Sequence, residues 1–399
     1  MKDPIRAAEL AARLSYGRLL AFLSARTHDI TLAEDALSDA FAKALEAWPQ
    51  MGVPGNPDAW LLTVARNRLS DVLRRQGRFS IKTDLPEFVV EETSPSTVPD
   101  ERLSLLLVCA HPAINSDLHA PLMLQTVLGL DAASIARLFL ISPTALSKRL
   151  VRAKAKIRDA GIPFQIPESE VLKTRSSAIL EAIYALHAHD WLDPTENLGE
   201  EAFYLADLLA RLLPDNAEAL GLASLIAANR ARLPARIVDD VLVSTEDQDT
   251  VLWDEDLIAY SNRQLVRAHQ LGSVGRFQIE AAIEAVHIAR KETGTTDWLA
   301  LNKLYHACLQ YGPTAGGLVA QAAVTGRLHG PEAGLAALEN AEGTVGTAFQ
   351  PLWAARADMC ARLGQSERAA RYYEKAISLT TDLPSINFLR VKLASVSKP

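Results

Sequence analysis

The feature that most limits the fold of this chain is the period of its apolar residues. Leu and Ala recur at helical spacing over most of its length, alternating strand-like patterns are few, and Gly and Pro interrupt at short intervals. Such a chain is expected to be all-α. Its 399 residues are enough for about two to four domains, and 49% hydrophobic residues supply cores without metals or crosslinks. Cys109, Cys308 and Cys360 are too few and too dispersed for a disulfide framework or a zinc knuckle, which predicts a soluble protein of the reducing cytoplasm. The opening Met1-Lys2-Asp3-Pro4 has no apolar signal core, and no run of about 18 uncharged apolar residues follows, so membrane insertion is not expected.

Helix signals come early. Leu10, Leu14, Leu19 and Phe22 are the apolar positions of an amphipathic helix over residues 6–24, and a second helix begins after Asp29, Ile30 and Thr31 and runs through Leu32, Ala36, Ala40, Phe41, Leu45 and Trp48. Residues 51–57 end it, and Trp60, Val64 and Leu69 mark a third helix that stays basic through Arg75. The Pro-, Ser- and Thr-rich stretch that follows has linker composition. Beyond it come the apolar run Leu103 to Cys109 and a helix over His119 to Leu128. Asp131 is placed to cap a helix over Ala132 to Phe139, and Ser142 to cap another whose first residue is Pro143. Ile135, Ala136, Phe139, Ile141, Leu146 and Leu150 close a small core between these two, the spacing of a helix-turn-helix.

Charge is divided unevenly. Residues 1–160 hold 20 Lys and Arg against 18 Asp and Glu, whereas residues 161–399 hold 21 against 30. Lys148, Arg149, Arg152, Lys154, Lys156 and Arg158 form a run with no acid between them, and Arg66, Arg68, Arg74, Arg75, Arg78 and Lys82 form a second concentration interrupted by Asp71. Because phosphate attraction acts over about 8 Å in physiological salt, local density outweighs the net charge of −7. Thr144, Ser147, Lys148 and Arg152 follow helical spacing and suit a major groove, with the other cations near phosphates. Solvated helix faces would carry the same charges, and base contacts do not follow from this pattern.

The order of these segments resembles the extracytoplasmic-function sigma factors of bacterial RNA polymerase, in the group with a long tetratricopeptide-like C-terminal extension. The resemblance lies in Leu32-Ala33-Glu34-Asp35-Ala36-Leu37-Ser38-Asp39-Ala40-Phe41, in Asn56 through Arg68 with Arg74 and Arg75, and in Gly129 through Lys154. It implies a first module over residues 1–78, a linker over 79–102, a helix-turn-helix module over 103–162 and a helical extension over 163–399. It also implies roles. Glu34, Asp35, Asp39 and Phe41 would present the face bound by core RNA polymerase, with Phe41 supporting packing. Trp60, Arg66, Asn67, Asp71, Arg74 and Arg75 would serve promoter melting or proximal contact, and Thr144, Ser147, Lys148, Arg149 and Arg152 distal recognition. The DNA partner would be duplex and locally melted promoter, and no cofactor is expected.

In the extension, residues 201–213 pair with 216–229 and residues 278–291 with 297–309, while Gly364, Ala369, Tyr373 and Ala376 have the spacing of a tetratricopeptide hairpin. The resemblance continues through Glu246-Asp247-Gln248-Asp249, Trp253-Asp254 and Gln278, Ala281, Ala282 and Ile283; Trp253 suits a core, and the acids suit a cap network better than a metal site. Two departures stand out: His187-Ala188-His189-Asp190-Trp191 replaces an Asn-Glu-Gly-Tyr-like segment, and Cys109-Ala110-His111-Pro112 lacks one cysteine of the family pattern. Neither completes a metal set. No Gly-rich phosphate loop, nucleophile elbow or metalloprotease motif occurs, so an enzyme is not expected. The alternatives are a DNA-binding regulator without sigma activity and a helical-repeat interaction scaffold. An unidentified regulatory partner of the extension is the remaining expectation.

Overall fold

The computed structural model of the protein describes residues 4–75, 100–139, 142–192 and 198–397. It is all-α, with eighteen helices among the described residues and one two-residue β-hairpin. The chain separates into two compact units, residues 1–189 and 190–399. No helix among the described residues is long and apolar enough to cross a membrane.

The first unit contains α1 (Pro4–Thr27), α2 (Ile30–Met51), α3 (Pro57–Arg75), α4 (Arg102–Cys109), α5 (His119–Leu128), α6 (Ala132–Leu138), α7 (Pro143–Asp159) and most of α8 (Ser169–Leu192). Helix α2 starts where Asp29 accepts a hydrogen bond from the Leu32 amide at 3.1 Å, and α3 where the Asn56 side chain accepts from Ala59 at 3.1 Å. Leu19, Leu20 and Leu23 of α1, Ala36, Ala40 and Trp48 of α2, and Leu61, Ala65 and Leu69 of α3 form one core. Burying such side chains contributes about 1.5–3 kcal/mol each for the larger ones.

Helix α1 also packs on α4 and α5, so the sequence's two modules meet in one unit. The approach is close. A Cβ on Gly17 would lie 2.0 Å from the Val127 carbonyl oxygen of α5, which only glycine permits. Gly129 ends α5 in the left-handed region, φ 72°, and its missing Cβ leaves room for the Tyr16 ring.

Asp131 caps α6 as expected: its side chain accepts from the Ala133 and Ser134 amides at 2.8 and 3.0 Å, and from the Ser134 hydroxyl at 2.7 Å. Ser142 differs from expectation. It occupies the position before α7, but its side chain makes no capping hydrogen bond. The helix starts instead with Pro143 at its first turn, where the missing N–H costs nothing, and with the Leu146 amide donating to the Ser142 carbonyl at 2.9 Å. Ile135, Ala136, Leu146 and Leu150 are buried, Phe139 is half-buried, and Ile141 lies outside the described residues. So do residues 76–99, most of the expected linker.

The second unit comprises α9 (Leu198–Leu212), α10 (Ala217–Ala231), α11 (Glu255–Gln270), α12 (Arg276–Thr293), α13 (Trp298–Leu309), α14 (Ala315–His329), α15 (Pro331–Val345), α16 (Gln350–Arg362), α17 (Ser366–Ser378) and α18 (Leu383–Val396). Helix α10 is buried along almost its whole length because Ala, Leu, Ile and Gly occupy nearly every position, and it packs against α9, α11 and α12. From α12 onward each helix packs on the next. Between α10 and α11 stands the hairpin β1 (Ile237–Val238) and β2 (Val241–Leu242), antiparallel, with Ile237 opposite Leu242. The last helix, α18, returns to β2, and the Asn387 amide donates to the Asp240 carbonyl at 2.9 Å.

Candidate functional site

Helix α2 turns Ile30, Ala33, Ala36, Leu37, Ala40, Ala44 and Trp48 inward, which leaves its other face for polar groups. Asp35 is exposed there. Asp39 is half-buried and accepts an ion pair from Arg68 Nε of α3 at 2.6 Å. Phe41 is half-buried, packed against the core of the first unit with its ring stacked on Tyr16 at 6.5 Å. Glu34 is half-buried. Both its oxygens accept from Lys154 Nζ of α7 at 2.6 Å, and the lysine side chain is only 6% exposed. Burial holds the Glu34 carboxyl above the usual carboxylate range, partly offset by that ammonium.

On α3, Trp60 is half-buried and meets the buried Trp48 edge to face at 5.6 Å. Asn67 is exposed, and Arg74 lies 3.7 Å from Asp71 on an open surface, where such a pair contributes little. Arg66 is half-buried, and its Nε makes no hydrogen bond among the described residues. Arg75 ends α3, and its side chain lies outside the described residues, as do Arg78 and Lys82. Sequence reasoning missed Arg18 of α1, which pairs with Asp58 in the first turn of α3.

Helix α7 carries a buried stripe of Leu146, Leu150, Ala153, Lys154 and Ile157, and opposite it Thr144, Ser147, Lys148 and Arg152 are exposed together. The basic run therefore divides. Lys148 and Arg152 carry no ion pair among the described residues, and Arg149 lies 3.9 Å from Asp117. Lys156 Nζ donates to the Ala113 carbonyl at 2.5 Å, and Arg158 pairs with Asp159 at 2.8 Å and Asp29 at 3.8 Å. Lys154 is withdrawn from the phosphate role that the charge run suggested, because it faces Glu34.

Cys109 is buried with its sulfur 3.4 Å from the Thr126 hydroxyl, and burial pushes the thiol up to about 12. His111 Nδ1 accepts from the Ala113 amide at 3.1 Å. His187 is buried, and the side chains of His189, Asp190 and Trp191 lie outside the described residues. In the second unit Trp253 is buried with Ala228, Ala235 and Ile288. Glu246 pairs with Arg327 at 2.8 Å, Asp247 accepts from the Ser244 hydroxyl at 2.6 Å, and Asp249 caps the turn at Val251. No cluster of three or more metal-ligating side chains occurs among the described residues. Gln278 opens α12, where the Phe277 and Gln278 amides donate to Glu218 at 3.0 and 3.2 Å; Ala281 and Ile283 are buried behind it.

Residues 12–79, which hold the last two thirds of α1 with α2 and α3, match sigma-70 region 2. Residues 175–269 match a family of unknown function, spanning most of α8 through α11. The chain is 32% identical over 381 residues to the uncharacterised protein R00370 of Rhizobium meliloti (strain 1021), covering 92% of this chain and 90% of that protein. It is 29% identical over 162 residues to the probable RNA polymerase sigma factor RfaY of Xanthomonas campestris pv. campestris, covering 36% of this chain and 40% of that one. No solved structure matches it. The chain belongs to one family with the rhizobial protein, and its residues 12–79 carry the region 2 of sigma-70 factors.

Proposed function

We propose that this protein is an alternative sigma factor of the extracytoplasmic-function type that binds core RNA polymerase, recognises promoter DNA and promotes initiation. The α2 face with Glu34, Asp35, Asp39 and Phe41 binds polymerase. Trp60, Arg66, Asn67, Asp71, Arg74 and Arg75 on α3 capture the opened proximal element, and α6 with α7 forms the helix-turn-helix that reads the distal one. The chemistry is selective binding. Capturing an unpaired segment shifts the duplex toward the open state by the difference in affinity for the two. The polymerase supplies the nucleotide transfer.

The observation that carries this reading is the exposed α7 face of Thr144, Ser147, Lys148 and Arg152 within one unit with region 2. Short hydroxyls at the start of a helix allow close approach to base edges, and the longer cations one turn on reach phosphates. The helical array of the second unit acts as a tetratricopeptide-like extension. Gly364, φ 71°, breaks α16 from α17, with Ala369, Tyr373 and Ala376 buried in the hairpin core, the small-and-aromatic packing such repeats use. Its role is regulatory or stabilising, through a partner not yet identified.

Reconstituted transcription is the test. Purified core polymerase with the full chain starts RNA at mapped positions on DNA from the source genome, and core polymerase alone does not. Binding to DNA without any association with core polymerase defeats the reading in favour of a regulator without sigma activity.

A further inference from the structure

The segment between α10 and α11 is held by side chains that reach it from far along the chain. Arg290 of α12 donates to the Thr245 and Gln248 carbonyls at 3.0 and 2.8 Å, Arg327 of α14 pairs with Glu246 at 2.8 Å, and Asn387 of α18 donates to the Asp240 carbonyl at 2.9 Å. Strand β2 packs on α18, and Val241, Leu242 and Val243 are half-buried. Beyond them the Asp247 and Gln248 amides donate to the Ser244 carbonyl, which makes an acidic turn. The helices therefore read main-chain carbonyls and one carboxylate, the groups by which a peptide is recognised. The hairpin itself is strained. Asp239 and Asp240 both stand in the left-handed region, φ 49° and 59°, as its two-residue turn demands. Asn-Gly occupies such a turn readily, whereas two adjacent aspartates add a steric cost and like-charge repulsion.

We propose that the face carrying Arg290, Arg327 and Asn387 is a docking surface for a segment of a partner protein, and that residues 240–249 are its displaceable resident. The partner segment has the resident's chemistry: two or three apolar residues in a strand, then a turn that offers a carboxylate to Arg327 and carbonyls to Arg290. A segment without the paired-aspartate turn makes the same contacts without that strain. This deepens the reading of the second unit as a partner-binding extension and rests on it, while sigma activity does not enter. Because the resident must leave first, apparent affinity for a partner segment is the intrinsic affinity reduced by the vacated fraction. Loosening the resident therefore tightens partner binding, and relieving the strain in its turn weakens it.

The probe is a fluorescein-labelled synthetic peptide with the sequence of residues 240–250, titrated into the full chain and read by anisotropy. Glu246→Lys in the chain sets the resident against Arg327 and leaves the receiving helices intact, so this variant binds the peptide roughly tenfold tighter than the parent. Adding Arg327→Gln to it abolishes the gain. Asp239→Asn with Asp240→Gly relieves the turn and binds the peptide more weakly than the parent. The Glu246→Lys peptide does not bind. In the parent, hydrogen exchange over residues 236–249 speeds up when the peptide is added, because the resident is released. Equal binding by the parent and Glu246→Lys, binding by neither, or a gain that survives Arg327→Gln overturns the proposal. If Glu246→Lys does not fold, the parent decides: unchanged exchange at millimolar peptide overturns it. Promoter-directed transcription is measured on the same protein. Displacement without transcription defeats the sigma reading and leaves the docking surface; transcription without displacement does the reverse.

Discussion

Lys148→Gln combined with Arg152→Gln tests how many charges of α7 face DNA. Binding that neutralises a phosphate releases counterions, so the logarithm of affinity falls with the logarithm of salt by about 0.9 per contact. A run of six cations read from sequence alone predicts a contribution near 5.4 to that slope. The structure predicts far less. Lys154 is buried on Glu34, Arg158 is paired with two acids, and Lys156 holds a backbone carbonyl, leaving Lys148 and Arg152 open and Arg149 partly so. Removing the two open cations lowers the slope by about 1.8, so over a fourfold rise in salt the variant loses about twelvefold less affinity than the parent. Fluorescence anisotropy of a labelled promoter duplex, titrated at four or more salt concentrations, measures it. Arg158→Gln, as the comparison, changes the slope by less than about 0.5 because its charge is already matched. Equal effects of Arg158→Gln and Arg152→Gln would refute the division of the run.

Asp131→Ala removes the α6 cap and destabilises the first unit by about 0.5–2 kcal/mol in a denaturant titration, whereas Asp131→Asn keeps most of it. The hydrogen bonds from Ser134 and Ala133 hold the Asp131 carboxyl below its usual range, so its stabilisation is complete above that range and is lost as pH falls through it. Asp131→Asn removes that acid-side loss. Trp253→Ala costs about 3–5 kcal/mol in the second unit by thermal or denaturant unfolding. Trp253→Phe costs clearly less, since the buried indole N–H has no hydrogen-bond partner to lose. Ala376→Leu, at a fully buried position of α17, costs about 1–3 kcal/mol by overpacking; an unchanged melting temperature would contradict the hairpin core described for α16 and α17.

The helices of the first unit were legible by their apolar period, and the starts of α6 and α7 also by local chemistry. Asp131 and Pro143 stand where a chain must satisfy or dispense with free amides, and the structure starts helices there; the caps at Asp29 and Asn56 carry the same chemistry but were not read as helix starts. The direction of Lys154 was not legible from charge, yet the helical period held it: Lys154 follows Leu150 by one turn and so lies on the buried stripe. What sequence could not supply was the acid waiting for it 120 residues earlier. Gly17 was overlooked for a related reason. A glycine inside a Leu-rich helix reads as a local weakness, and its use appears only when a second backbone arrives. In the second unit, Ala369, Tyr373 and Ala376 were legible by spacing, whereas the return of α18 to the hairpin leaves no periodic trace.

That return changes what kind of object the helical array is. Stacked helices normally have two loose ends, and their outermost members open first because each has only one neighbour. Here the last helix is fastened by Asn387 to the turn at Asp240, far upstream in the chain. The carboxyl-terminal end therefore has a second neighbour and no longer behaves as an end. Removing α18 alone would expose the hairpin as well as α17, so a short truncation would be felt at both places. Unfolding of this region should accordingly be all-or-none, where an open stack of the same length would fray gradually.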